Sequence, residues 1–168
     1  MESGSEPTLS FGYHAKLAPL LWAFIGLATI ELLVVHFLIS FWSGTAAAIL
    51  SLLSLATILW LVLLIRSMKR LPVVVGSDQL LMRTGSLTAI EVAGTNIAAV
   101  RTNFPSEALK SASVLNLGLL AYPNVLVELR EALPKRRRRT IAAVAHSLED
   151  PVGFAAAAEK LRVQCSAS

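Results

Sequence analysis

This sequence predicts an α+β membrane protein, in which a two-helix transmembrane hairpin precedes a small β domain closed by a C-terminal helix. Three observations lead there. First, residues 17–66 hold two apolar runs, 17–41 and 45–65, with no Lys or Arg before Arg66 and only Glu31 and His36 as ionisable side chains. At a rise of about 1.5 Å per residue, each run is long enough to cross a hydrocarbon core of roughly 30 Å. Neither shows the polar face of a soluble helix. Second, beyond residue 71 short β-branched runs recur about every ten residues with turn residues between them, the pattern of antiparallel strands. Third, Asp150-Pro151 precedes an alanine-rich stretch, which reads as a helix N-cap followed by the first helical residue.

The bulk composition agrees with this division. The 168 residues are 55% hydrophobic, and the mean hydropathy is +0.65. The excess lies in the hairpin, and about a hundred residues remain for one small domain with its own core. A single cysteine, Cys165, excludes an intrachain disulfide and suits a reducing compartment. It reads as a bystander thiol.

Residues 1–16 contain Gly, Pro, Ser, Glu2 and Glu6 and are expected to form a disordered cytoplasmic tail. They lack the basic n-region of a signal peptide, and a second span follows, so the first span is expected to be retained. In that span, 17–41, Pro19 falls in the expected first turn, and Trp22, Phe41 and Trp42 suit the two interfaces. Glu31 lies near the middle. His36 is about 7 Å further along and about 140° around the helix, so the two do not share a face. The link Trp42-Ser43-Gly44 turns the chain into the second span, 45–65. Its first half is rich in small residues, which allow close helix approach in lipid. Ser51, Ser54 and Thr57 form a weakly polar stripe. Folding the hairpin about its turn sets His36 level with Ser51 and Glu31 level with Thr57, so the stripe is expected to face the first span and bond both groups.

Of the basic residues only Lys16 precedes the hairpin, while Arg66, Lys69 and Arg70 follow it directly. The positive-inside rule then puts both termini in the cytoplasm and the 42–44 turn outside the inner (plasma) membrane. Strands are expected at 73–75, 80–83, 87–92, 97–101, 114–121, 125–129 and 140–146. Residues 103–113 read as a loop and 131–139 as a connection. A helix at 151–163 with Phe154, Ala158 and Leu161 on one face completes a domain spanning 71–163, followed by a tail at 164–168.

Chemistry-bearing residues are few. Glu31 is costly at mid-membrane unless neutral, paired or facing a polar cavity. It reads either as a proton, ion or headgroup contact, or as a protonated carboxyl that serves helix assembly. His36 stands alone, with no second His or Cys at ligand spacing, so no metal or haem cofactor is expected. Lys135, Arg136, Arg137, Arg138 and Arg139 form the densest charge run. Cationic clusters on the cytoplasmic side attract anionic lipid at about 1 kcal/mol per charge. Nucleic acid is not expected, because no aromatic residues interleave the run for base stacking. The soluble part has one histidine, His146, with no nucleophile triad, phosphate loop or carboxylate pair. No enzyme activity is expected.

The order of elements, together with PVVVGSDQLLMRTG (72–85), NIAAVR (96–101), PNVLVEL (123–129) and EDPVGF (149–154), resembles the bacterial PH-like domain fused to membrane helices. IELLVVHFLISFWS (30–43) is similar to the first span of small bacterial inner-membrane proteins of this layout. The resemblance implies a seven-stranded bent β-sandwich or barrel capped by a helix, working as a lipid- or protein-binding module. It brings no catalytic residues. The basic phosphoinositide motif of eukaryotic PH domains has no counterpart, since Ser77-Asp78-Gln79 stands at that hairpin. The expected function is therefore a membrane-anchored binding module for a protein partner or anionic headgroups, through Lys135–Arg139. The alternatives are an accessory subunit of a membrane transporter or enzyme complex that uses Glu31 and His36, and a self-associating scaffold.

Overall fold

A computed structural model describes residues 8–135 and 139–166. It contains two long apolar helices, two β-sheets and a C-terminal helix, an α+β architecture. Helix α1 spans His14–Ser40 and α2 spans Gly44–Arg70, 27 residues each. At the helical rise each is about 40 Å long, and both are long and apolar enough to cross a membrane. Both extend beyond the expected 17–41 and 45–65. Pro19 is therefore the sixth residue of α1 rather than part of its first turn. Ser43 caps α2 by accepting the Ala46 N–H.

The two helices run antiparallel and pack along one stripe each. On α1 the inward positions include Leu17, Leu21 and Ile25; on α2 they include Ala47, Leu64, Ile65 and Met68. The remaining faces are exposed and apolar, as Leu27, Leu33, Leu52 and Leu55 illustrate.

The first sheet has the order β1-β2-β3-β4, from Leu9–Phe11, Val73–Val75, Gln79–Thr84 and Thr88–Ala93, all antiparallel. Strand β1 corrects the expected tail at 1–16. Leu9, Phe11 and Tyr13 alternate with smaller residues, and Phe11 packs edge-on against Phe154 at 5.5 Å. Alternation of this kind suits a strand, even one only three residues long. Residues 1–7 and 167–168 of the two expected tails lie outside the described residues, while 164–166 continue the last helix.

The second sheet has the order β5-β7-β8-β6. It is built from β5 (Ile97–Arg101), β6 (Val114–Asn116), β7 (Val125–Lys135) and β8 (Arg139–His146). Three expectations are corrected here. The strand expected at 114–121 ends at Asn116, because Gly118 and Leu119 turn the chain and Leu119 takes a φ of 51°. That strand pairs with β8 in parallel, so the strands are not all antiparallel. Of the expected connection 131–139, residues 131–135 instead extend β7 and Arg139 begins β8, with Leu133 opposite Ile141 and Lys135 opposite Arg139, while 136–138 lie outside the described residues. The pairing register of the β7–β8 hairpin shifts between Glu128 and Leu133. The Asn96 side chain bonds both backbone groups of Glu131 within that shift. The described strands thus number eight where seven are expected.

Helix α3, Pro151–Ser166, begins where Asp150 accepts the Gly153 N–H and buries Phe154, Ala158 and Leu161, the expected face. One apolar core runs without a break from Leu17, Leu21 and Ile25 through Leu64, Ile65 and Met68 into Val73, Leu80, Met82, Val92, Ile97, Val127, Val144 and Phe154. A smaller cluster, Leu126, Ala143 and Ala145, is covered by Phe104, Ala108 and Leu109 from the 103–113 loop.

Candidate functional site

The helices join the β domain without a linker. Two residues separate Arg70 from β2, and the joint is held by a polar network around Tyr13. The Tyr13 hydroxyl donates to the Leu71 carbonyl at 3.0 Å and accepts the Gly85 N–H at 2.5 Å. Gly85, with a φ of 50°, makes the tight turn between β3 and β4. A Cβ there would stand 2.5 Å from the Ser67 hydroxyl, so only glycine lets the turn rest on α2. Ser67 in turn accepts the Ser86 N–H at 3.3 Å.

Behind Tyr13 lies His146, fully buried, with ring centroids 4.9 Å apart. The Ser147 N–H points at Nδ1 (2.8 Å), and Nε2 sits 2.9 Å from the Arg83 carbonyl. A ring that accepts at Nδ1 and donates at Nε2 is the neutral form. Burial accordingly pushes the His146 pKa down, against the opposing effect of its backbone contacts. Burial likewise raises the Tyr13 pKa. Glu149 completes the joint. Its carboxylate accepts the Ala15 N–H at 2.9 Å and lies 3.3 Å from His14 Nδ1, capping the start of α1 from a distant part of the chain. Tyr13, at the N-cap position, offers no side-chain cap of its own.

The expected intramembrane group divides. His36 and Ser51 meet, sharing a 2.6 Å hydrogen bond between Nδ1 and Oγ. Thr57 does not join them. It is exposed, off the stripe that faces α1, and donates to the Leu53 carbonyl of its own helix at 3.0 Å. Glu31 is also exposed and has no hydrogen-bond or ion-pair partner among the described residues. The expectation that one stripe would bond both ionisable groups therefore holds only for His36. Glu31 lies about 140° around α1 from it.

Of the basic run, Arg136, Arg137 and Arg138 lie outside the described residues. The strand register places the Lys135 and Arg139 backbones opposite each other at the end of the β7–β8 hairpin. Beside that end an apolar groove of about 500 Å³ is lined by Thr88, Ala89, Ile90, Leu133, Pro134 and Ile141. A second groove, about 470 Å³, lies against the end of α2 between Leu63, Arg66, Ser67, Arg70 and Leu71. Arg66 and Arg70, four residues apart on one helix face, give it a positive wall.

Sequence reasoning missed the Tyr13–Gly85–His146 joint and both grooves. The alternation of Leu9, Phe11 and Tyr13 was the available signal for the joint. The grooves are formed by residues far apart in the chain, and no local pattern marks them. Comparisons with protein families, curated proteins and solved structures find no match to this chain.

Proposed function

We propose that this protein is a non-catalytic, membrane-anchored binding module. In this reading α1 and α2 cross the inner membrane with both termini cytoplasmic, and a PH-like β domain engages anionic lipid headgroups at the cytoplasmic face. The observation that carries the proposal is the linker-free joint. It ties the domain to the end of α2, where Arg66, Lys69 and Arg70 are exposed, and the same domain bears the basic hairpin end at 135–139. Cations on one side of a bilayer hold anionic headgroups at about 1 kcal/mol each. Two four-stranded sheets closed by α3 support the PH-like assignment, and the parallel β6–β8 pair departs from it.

The test uses the full chain in neutral detergent, titrated with phosphatidylglycerol or phosphatidylcholine while thermal unfolding is followed. Phosphatidylglycerol should stabilise the wild type more than phosphatidylcholine does. Changing Lys135–Arg139 to Ser should remove most of that difference, and an unaltered difference would refute the lipid contact.

The unpartnered carboxyl of Glu31 favours a second reading, an accessory subunit of a membrane complex. If that is correct, a protein partner isolated with the wild type in mild detergent is lost from Glu31→Gln.

A further inference from the structure

We propose that the 117–124 loop and the β3–β4 turn form an apolar foot that inserts into the lipid interface beside the hairpin. This inference rests on the membrane reading above, but it assigns a different surface and a different force: apolar insertion rather than attraction of headgroups to the basic hairpin.

The loop is fastened at one end by Leu117, whose N–H donates to the Ala145 carbonyl and whose carbonyl accepts the Thr84 hydroxyl, both at 2.8 Å. At the other end the Asn124 N–H donates to the His146 carbonyl at 2.9 Å and its side chain bonds Leu148. Thr84 and His146 both flank the Tyr13 joint, so the loop emerges on the side of the domain where the helices leave it. Gly85 and Ser86 rest on Ser67, one residue past Arg66. The turn therefore stands at the depth where α2 passes from apolar to basic residues, the expected level of the headgroups.

The composition of the loop is unusual for a turn. Turns favour Gly, Pro, Asn, Asp and Ser, yet this one reads Gly-Leu-Leu-Ala-Tyr-Pro. Leu120 is 61% exposed, Tyr122 64%, and Leu119 and Leu87 46% each. Single exposed apolar residues are ordinary, but a group of four around one corner of a domain marks a contact surface.

Leu119 holds a left-handed φ of 51°, a conformation that strains a side-chain-bearing residue. Within the protein Leu119 stays 46% exposed, short of full burial. Insertion into lipid supplies that burial, and a tyrosine beside the leucines suits the interface, with its ring apolar and its hydroxyl wet.

The test is site-specific fluorescence on the full chain in vesicles of phosphatidylethanolamine and phosphatidylglycerol, in a Cys165→Ser background. An environment-sensitive dye is attached after Leu120→Cys and, separately, Leu87→Cys. Leu33→Cys, exposed within α1, reports on the hairpin. Val163→Cys, near the far end of α3, reports on water. Quenching is compared between lipids carrying a nitroxide high on the acyl chain and aqueous iodide. The hairpin dye must lose emission to the nitroxide lipids; if it does not, the membrane reading itself fails. Where it does, dyes at 120 and 87 should also lose emission to the nitroxide and resist iodide, while the dye at 163 does the reverse. Dyes at 120 and 87 that follow the one at 163, or that are shielded from both quenchers by a neighbouring protein, overturn the foot. Two independent sites keep the test decisive if one variant fails to fold.

Discussion

The two ends of the helical hairpin are held together by different means. At the far end α1 and α2 meet through small residues and the His36–Ser51 bond. At the near end the same helices are bound into the β domain by Tyr13, Ser67, Gly85, His146 and Glu149, over a core shared with both sheets. In the membrane setting proposed above, two apolar surfaces gain nothing hydrophobic by meeting in lipid, so the far end would depend on close packing. The near end combines apolar burial with hydrogen bonds between buried or part-buried groups, so each loss there is costly. The hairpin should therefore be rigid where it enters the domain and more tolerant of substitution at its turn.

The near end should be the more sensitive to substitution. Gly85→Ala adds a Cβ against Ser67 in a left-handed turn. It should destabilise the protein by about 2–4 kcal/mol, the sum of backbone strain and overpacking, read as a shift of the denaturation midpoint in micelles. Tyr13→Phe leaves the Gly85 N–H and Leu71 carbonyl without their partner and should cost about 1–3 kcal/mol by the same measurement. An effect below that of any far-end variant would reverse the contrast between the two ends.

The near end should also respond to pH. The folded-state pKa of His146 is depressed below its ordinary 6.5 by burial. Above 6.5 both folded and unfolded states hold the neutral ring, and the stability is fully present. As pH falls below 6.5 the unfolded state takes up a proton that the folded state refuses, so stability is lost until the depressed pKa is passed. Tyr13, with its pKa raised above 10.0, gives the mirror image, a loss as pH rises past 10. Unfolding midpoints between pH 5 and 7 should fall with acid in the wild type and flatten in His146→Gln. The smallest effect belongs to the far end. Ser51→Ala should weaken helix pairing by about 0.6 kcal/mol, and Thr57→Ala should leave it unchanged, as disulfide-trapping rates in membranes would show.

How much was legible follows from the range of the signals. The helices, the Asp150 cap and seven of the strands are each written in a local period or a local turn, and the hairpin fold correctly put His36 level with Ser51. Depth along a hairpin is simple arithmetic, but facing is not. Thr57 is exposed and bonds its own helix rather than α1, because its direction depends on how the helices roll against each other. Strand β1 was missed because three residues after Gly- and Ser-rich sequence resemble a tail until Val73–Val75 offers them an edge. The extended β7–β8 hairpin was missed because charge at 135–139 suggests a loop.

By itself the sequence determined that two apolar helices precede a β domain ending in a helix, since hydropathy and alternation are properties of neighbouring residues. Only the tertiary structure decided that Tyr13 reaches Gly85 across 72 residues, that Glu149 caps a helix 134 residues away, and that β6 runs parallel to β8. Those contacts depend on which partner lies within hydrogen-bonding distance once the whole core has closed, and no local stretch of chain carries that information.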